Sequence, residues 1–139
     1  MLETVSNFME KMDSIGWKYR EPAALKDGNI HIGTSFNGKQ TTINFSIFFD
    51  PKGHTATVRV VRLFPAPIDK RLQLLEDINS CNKKYRWIKY YIDDSSDVNI
   101  QIDAVISAQT SGEVLVELIT RTVSIIDETY PIFMHTVWA

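Results

Sequence analysis

"GTSFNGKQTTINFSIFF", residues 33–49, can be read in two ways, and the choice decides the fold. Gly33, four residues, then Gly38-Lys39 is almost a phosphate-binding loop, but Gln40 stands where a magnesium-binding Ser or Thr belongs. Such a loop must also lead into a helix N-terminus, whose free N–H groups and dipole hold the phosphates. Here the following residues alternate. Ile43, Phe45, Ile47 and Phe49 point one way, and Thr42, Asn44, Ser46 and Phe48 the other, which is the period of a half-buried strand. Asn37-Gly38 is instead the preferred pair for a two-residue hairpin turn. That turn pairs Phe36 with Lys39, Ile32 with Ile43 and Ile30 with Phe45, so apolar meets apolar on one face.

The same argument extends along the chain. "DPKG", residues 50–53, is a turn, and as a loop it sets Ile47 opposite Ala56, Phe45 opposite Val58 and Ile43 opposite Val60. "DDSSD", residues 93–97, sets Ile92 opposite Val98, Tyr90 opposite Ile100 and Ile88 opposite Ile102. Helical spacing occupies the remainder. Leu2, Val5, Phe8, Met9, Met12 and Ile15 form one stripe closed by Gly16, and Ile68, Leu72, Leu75 and Ile78 form a second. A long third helix follows a Thr110–Glu113 capping box and buries Leu115, Leu118, Ile119, Thr122, Ile126 and Phe133, with Pro131 expected to bend or end it. The order is α-β-β-β-α-β-β-α: an α+β fold with one antiparallel sheet and helices on one face. Ile43, Phe45, Ile47, Val58, Val60, Ile100 and Ile102 are its expected helix-covered residues.

Composition narrows the function. A length of 139 residues suits one domain spanning 1–139, and 44% hydrophobic with 23% charged residues is ordinary for a globular protein. A net charge of −2 argues against a nucleic-acid partner held by phosphate neutralisation. Cys81 is the only cysteine, which excludes an internal disulfide and fits a reducing compartment. With acids early in the chain and no apolar run of membrane-spanning length, the expectation is a cytoplasmic protein with no membrane partner.

No catalytic, cofactor or metal constellation is legible. "DDSSD" begins like a calcium loop, but Val98 and Ala104 stand where glycine and glutamate are needed. Cys81 has no histidine near it in sequence and reads as a half-buried structural thiol. Under the registers above His31, Asn44 and Arg59 share a row on the outer sheet face, an anion site or, the favoured reading, a solvated polar ladder. Phe48, Trp87 and Tyr91 also fall on that face, with Lys89 between the last two, and exposed aromatics of this kind mark protein interfaces. Phe48, Arg59, Trp87, Lys89 and Tyr91 are therefore the candidate partner-binding residues. The apolar tail "YPIFMHTVWA", residues 130–139, is expected to pack on the domain or on a second subunit.

"LLEDINSCNKKYRWIKYYIDDSSDVNIQIDAVI", residues 74–106, joins a helix ending in Asn79 and Asn82 to an aromatic-basic strand, an acidic turn and a second alternating strand. With the preceding hairpin "TTINFSIFFDPKGHTATVRVVRLFPAPI", it resembles the YbjN family of bacterial proteins, labelled sensory-transduction regulators. The match lies in pattern, and "DDSSD" lacks the glycine expected in its turn. The resemblance implies a fold similar to type III secretion chaperones and carries over no catalytic residue. The reading is a non-enzymatic, chaperone-like or regulatory protein-binding module without cofactor, expected to be a homodimer. The alternatives are a toxin-immunity-type protein and a small-molecule or anion-binding protein that uses the outer sheet face.

Overall fold

A computed structural model describes all residues, 1–139. Helix α1 (Glu3–Ser14) leads to a short strand β1 (Ala23–Ala24), then β2 (Ile30–Asn37), β3 (Thr42–Phe49) and β4 (Thr55–Pro65). A 3-10 turn (Ile68–Lys70) opens α2 (Arg71–Lys84), followed by β5 (Lys89–Ile92), β6 (Asp97–Val105) and α3 (Ser111–Val137). The six strands form one antiparallel sheet in the order β1-β2-β3-β4-β6-β5. The three helices cover one face. Phe8 of α1 packs on Phe49, and Phe133 of α3 packs between Phe64 and Tyr90. All seven residues expected on the helix-covered face are buried, as is the expected face of α3. The α-β-β-β-α-β-β-α order holds, with β1 as an addition: Ala23 and Ala24 lie in a stretch that reads as turn but pair with His31 and Ile30.

The hairpin registers differ from expectation in an instructive way. Phe36 faces Ile43 rather than Lys39, so the β2–β3 loop is longer than two residues. Gly38 N–H donates to the Thr41 carbonyl at 2.9 Å, and Lys39 N–H donates to Asp127 Oδ1 of α3 at 2.7 Å. Gly38 is needed there for space: a Cβ would lie 2.7 Å from that same Asp127 oxygen. In the next hairpin Ile47 faces Val58 rather than Ala56. Asp50 closes that loop, accepting from His54 N–H at 2.8 Å and from the Thr55 hydroxyl at 3.0 Å. Both shifts are even, so every side chain keeps its face. The β5–β6 register is as expected, and Ser96, at φ 60°, takes the left-handed position that glycine usually fills.

Three helical features depart from the sequence reading. The core stripe of α2 is Leu74, Ile78 and Cys81, whereas Ile68 (86% exposed), Leu72 (82%) and Leu75 (39%) face solvent. Thr110 forms no capping box, and its hydroxyl pairs with Ser107 at 2.6 Å. The start of α3 is capped from outside: Asn7 Oδ1 of α1 accepts from Gly112 N–H at 2.8 Å, and the Ser111 hydroxyl donates to the Thr4 carbonyl at 2.6 Å. Finally, α3 runs unbroken through Pro131 to Val137, with the proline exposed, so the carbonyl it leaves free can be met by water. The α1 C-terminus follows expectation. Gly16, at φ 77°, lets Trp17 N–H reach the Met12 carbonyl and its own N–H reach Asp13, a Schellman closure.

Candidate functional site

The outer sheet face does not assemble the His31–Asn44–Arg59 row, because the register shifts separate its members. His31 faces Phe48, Asn44 faces Ser35, and Arg59 lies between Ser46 and Gln101. Asn44 is held by the Ser35 hydroxyl at 2.7 Å. His31 and Arg59 instead flank one aromatic ring: the His31 ring lies 5.0 Å from Phe48, and the Arg59 guanidinium lies 5.4 Å above it. Arg59 Nε donates to Gln101 Oε1 at 3.2 Å, and Lys89 is the next residue in that row. Arg20 joins the patch unforeseen. Its Nη1 lies 3.0 Å from the point where a Gly33 Cβ would stand, so the bare glycine lets the guanidinium lie close against this face. Tyr91, on β5, faces Asn99 of β6; it lies three strands across and four residues along the sheet from Phe48, about 20 Å away at ~4.8 Å per strand and ~3.3 Å per residue.

Trp87 is not on the outer face, contrary to the alternation of its segment. It precedes β5 at φ 71°, and Ile88 N–H donates across it to the Arg86 carbonyl at 2.9 Å. This is a γ-turn centred on a left-handed tryptophan, a rare and strained conformation costing about 1–3 kcal/mol. The turn directs the indole toward α3, where the Arg121 guanidinium lies 4.9 Å over its ring. Trp87 remains 51% exposed. Around it a cleft of about 270 Å³ is lined by Lys84, Tyr85, Arg86, Trp87, Arg121, Ser124 and Ile125. Lys84 Nζ lies 5.2 Å over the Tyr85 ring.

The flank of α2 is the second surface that pattern reading misses. Ile68, Leu72 and Leu75 recur at four- and three-residue spacing, and the last two border a shallow depression with Glu76, Asn79 and Ser80. Lys70, Gln73 and Asp77, on the other flank, line a groove of about 700 Å³ with Ile132, His135 and Thr136 of α3. That groove is cross-linked by Lys70 Nζ donating to the Ala139 carbonyl at 2.6 Å and by the Thr136 hydroxyl donating to Asp77. At the end of α3 Trp138 is 82% exposed. The tail thus packs on the domain through Phe133 and Thr136 and presents Trp138 outward.

The remaining candidates are structural. Burial, with Asp77 nearby, pushes the Cys81 thiol up, away from the nucleophilic thiolate. The Asp93 carboxylate is taken up by the acidic turn itself. It accepts from the N–H groups of Ser95 and Asp97 and from the Asn99 amide, and the Asp97 N–H leads the causes that hold its pKa below the ordinary value. Arg62, at φ 54° in an irregular stretch of β4, pairs with Asp97 at 3.0 Å. No group of three or more His, Cys, Asp or Glu side chains is placed to hold a metal ion, and no helix is long and apolar enough to cross a membrane.

Comparison with known proteins gives a consistent frame. The family model for YbjN, described as "Putative bacterial sensory transduction regulator", matches residues 8–133. A similar solved structure is "Crystal structure of YbjN, a putative transcription regulator from E. coli", with a TM-score of 0.59, 13% identity and coverage of 91% of each chain. At that identity the likeness speaks for the fold. Comparison with curated proteins gives no match.

Proposed function

This chain belongs to the YbjN family, and on that premise we propose that it is a non-enzymatic regulatory module that works by protein–protein contact, in the cytoplasm, as a homodimer. The observation that carries this reading is the apolar flank of α2. Leu72, in the first turn of a helix whose opposite face is packed, and Ile68, in the 3-10 turn before it, are both more than four-fifths exposed. Leu72 and Leu75, at i and i+3 on α2, with Ile68 just before them, form a short apolar edge that a second helix covers. The occupant is a second copy of the chain. The stripe is short and has one carboxylate, Glu76, at its edge, so two copies related by a twofold axis lay apolar against apolar with that charge left at the solvated rim. A helix pair of this size falls in the class of weak contacts below ~1,200 Å², which suits a contact that regulation makes and breaks.

Phe48, Arg59 and Lys89, joined by Arg20 and His31, make a second, cationic-aromatic surface on the outer sheet face, with Tyr91 at its margin. It is the proposed seat of the regulated partner, and it lies across the sheet from the helices, so dimerisation leaves it free. A chaperone-like mode, in which this face holds an extended partner segment, is the finer form of the proposal. Size exclusion with light scattering tests the dimer. The wild type should approach a dimer mass as concentration rises, and Leu72→Glu should stay monomeric with an unchanged melting temperature. A wild type that remains monomeric at millimolar concentration contradicts it.

A further inference from the structure

The Trp87 cleft carries chemistry that neither the fold nor a protein interface requires. Lys83, Lys84 and Arg86 lie within four residues in a chain of net charge −2. None of them forms an ion pair: the only two in the structure are Arg62–Asp97 and Arg121–Glu117. Lys83 and Lys84 in the last turn of α2 suit the negative end of its dipole. That accounts for neither Arg86, which lies beyond the helix, nor the strained γ-turn that presents Trp87. The indole has Arg121 on one side and half its surface open. Tyr85 supplies a second aromatic wall, Ser124 a hydroxyl and Ile125 an apolar contact. Glu117 is engaged by Arg121 at 2.8 Å, and Glu128 lies with Lys84 at the Tyr85 hydroxyl, so Arg86 is the cation at the mouth with no acid beside it and Lys84 is the second.

We propose that this cleft is a binding site for a small phosphomonoester carrying a planar ring. The ring stacks on the open part of Trp87, as planar groups do on exposed aromatics. The phosphate is held by Lys84 and Arg86, with the Ser124 hydroxyl as a neutral donor. At about 270 Å³ the cleft is below the ~300–1,000 Å³ of drug-sized sites, so it takes one ring and one phosphate. The left-handed Trp87 is the preorganising element: the γ-turn fixes the indole across the mouth before any ligand arrives.

A nucleotide and an aryl phosphate share this chemistry, and calorimetric titration with AMP and with phenyl phosphate distinguishes them. Either should bind saturably and tighter than inorganic phosphate. Arg86→Ala and Lys84→Ala should each weaken binding about tenfold, the usual loss for one charged contact. Trp87→Gly, which suits the backbone angle and so preserves the turn, should abolish the preference for the ring-bearing ligand over inorganic phosphate. The proposal is overturned if neither compound binds below several millimolar, if inorganic phosphate binds equally well, or if the ring preference survives Trp87→Gly. Tighter binding of an oligothymidylate than of either small ligand would also overturn it, by showing a nucleic-acid groove.

Discussion

The side chain of Asn82 pairs with the backbone of Tyr90 as a neighbouring strand would. Its Nδ2 donates to the Tyr90 carbonyl at 3.0 Å, and its Oδ1 accepts from the Tyr90 N–H at 2.8 Å. The last turn of α2 thereby occupies the free edge of β5, which ends the sheet and would otherwise offer unpaired groups to another chain. Asn82→Ala should destabilise the fold by about 1–3 kcal/mol in denaturant titration, since it leaves a partly buried donor and acceptor unmet. A change under ~0.5 kcal/mol, the range of neutral surface substitutions, would mean that water replaces the amide.

Gly38 and Asp127 should be energetically coupled. Gly38→Ala places a Cβ where Asp127 Oδ1 now accepts from Lys39 N–H. Its cost should fall measurably in an Asp127→Ala background, with an interaction energy of about 0.5–3 kcal/mol in a double-mutant cycle. Simple additivity would show that the loop clears the helix by other means.

Residue 87 should reverse the usual ranking of glycine and alanine. Both Trp87→Ala and Trp87→Gly lose the Arg121 contact, but only glycine is at ease at φ 71°. Trp87→Gly should be about 1 kcal/mol more stable than Trp87→Ala. The opposite order in thermal unfolding would remove the γ-turn strain from the account.

Acid should loosen the β5–β6 turn. Asp93 is held below its ordinary pKa chiefly by the Asp97 N–H, despite some desolvation. A depressed carboxyl pKa contributes stability that is fully present above the unfolded value and is lost as pH falls through the folded one. The stability gap between wild type and Asp93→Asn should therefore close as pH drops below the ordinary carboxylate range. A gap that is constant with pH would show that the ionised form is not what the turn uses.

Phe45→Ala should cost ~3–5 kcal/mol through the cavity it leaves, as befits a ring that is 2% exposed and packed on Phe36. A loss below about 1 kcal/mol would contradict the assignment of the covered face.

What can be read from the chain follows from what local sequence encodes. Alternation specifies which face a residue occupies, so Ile43, Phe45, Val58 and Ile100 are identifiable as core residues from their spacing alone. Absolute register is set in part by contacts that local sequence does not contain. Lys39 N–H is satisfied by Asp127, 88 positions away, and this lengthens the loop that Asn37-Gly38 suggests. The face of α2 is ambiguous for a similar reason. The segment carries two apolar stripes, Leu74–Ile78–Cys81 on the helix and Ile68–Leu72–Leu75 running in from the 3-10 turn, and periodicity cannot say which meets the sheet. Alternation misplaces Trp87 because it stops one turn earlier than the residue pattern suggests: the γ-turn before β5 rotates the indole onto the helix side. Arg20 carries no local signal, because its close approach is to Gly33, thirteen positions on. The capping of α3 by Asn7 is likewise tertiary, and a Thr110–Glu113 box is indistinguishable from it in sequence.

The α2 flank as a twofold seam is tested most directly by a cysteine at its centre. Cys81 is buried, so Leu72→Cys introduces the one accessible thiol, and a residue near a twofold axis meets its own copy. Mild oxidation of Leu72→Cys should give a disulfide-linked dimer far faster than oxidation of Val105→Cys, an equally exposed position on β6. Equal rates of cross-linking at the two positions would contradict the account.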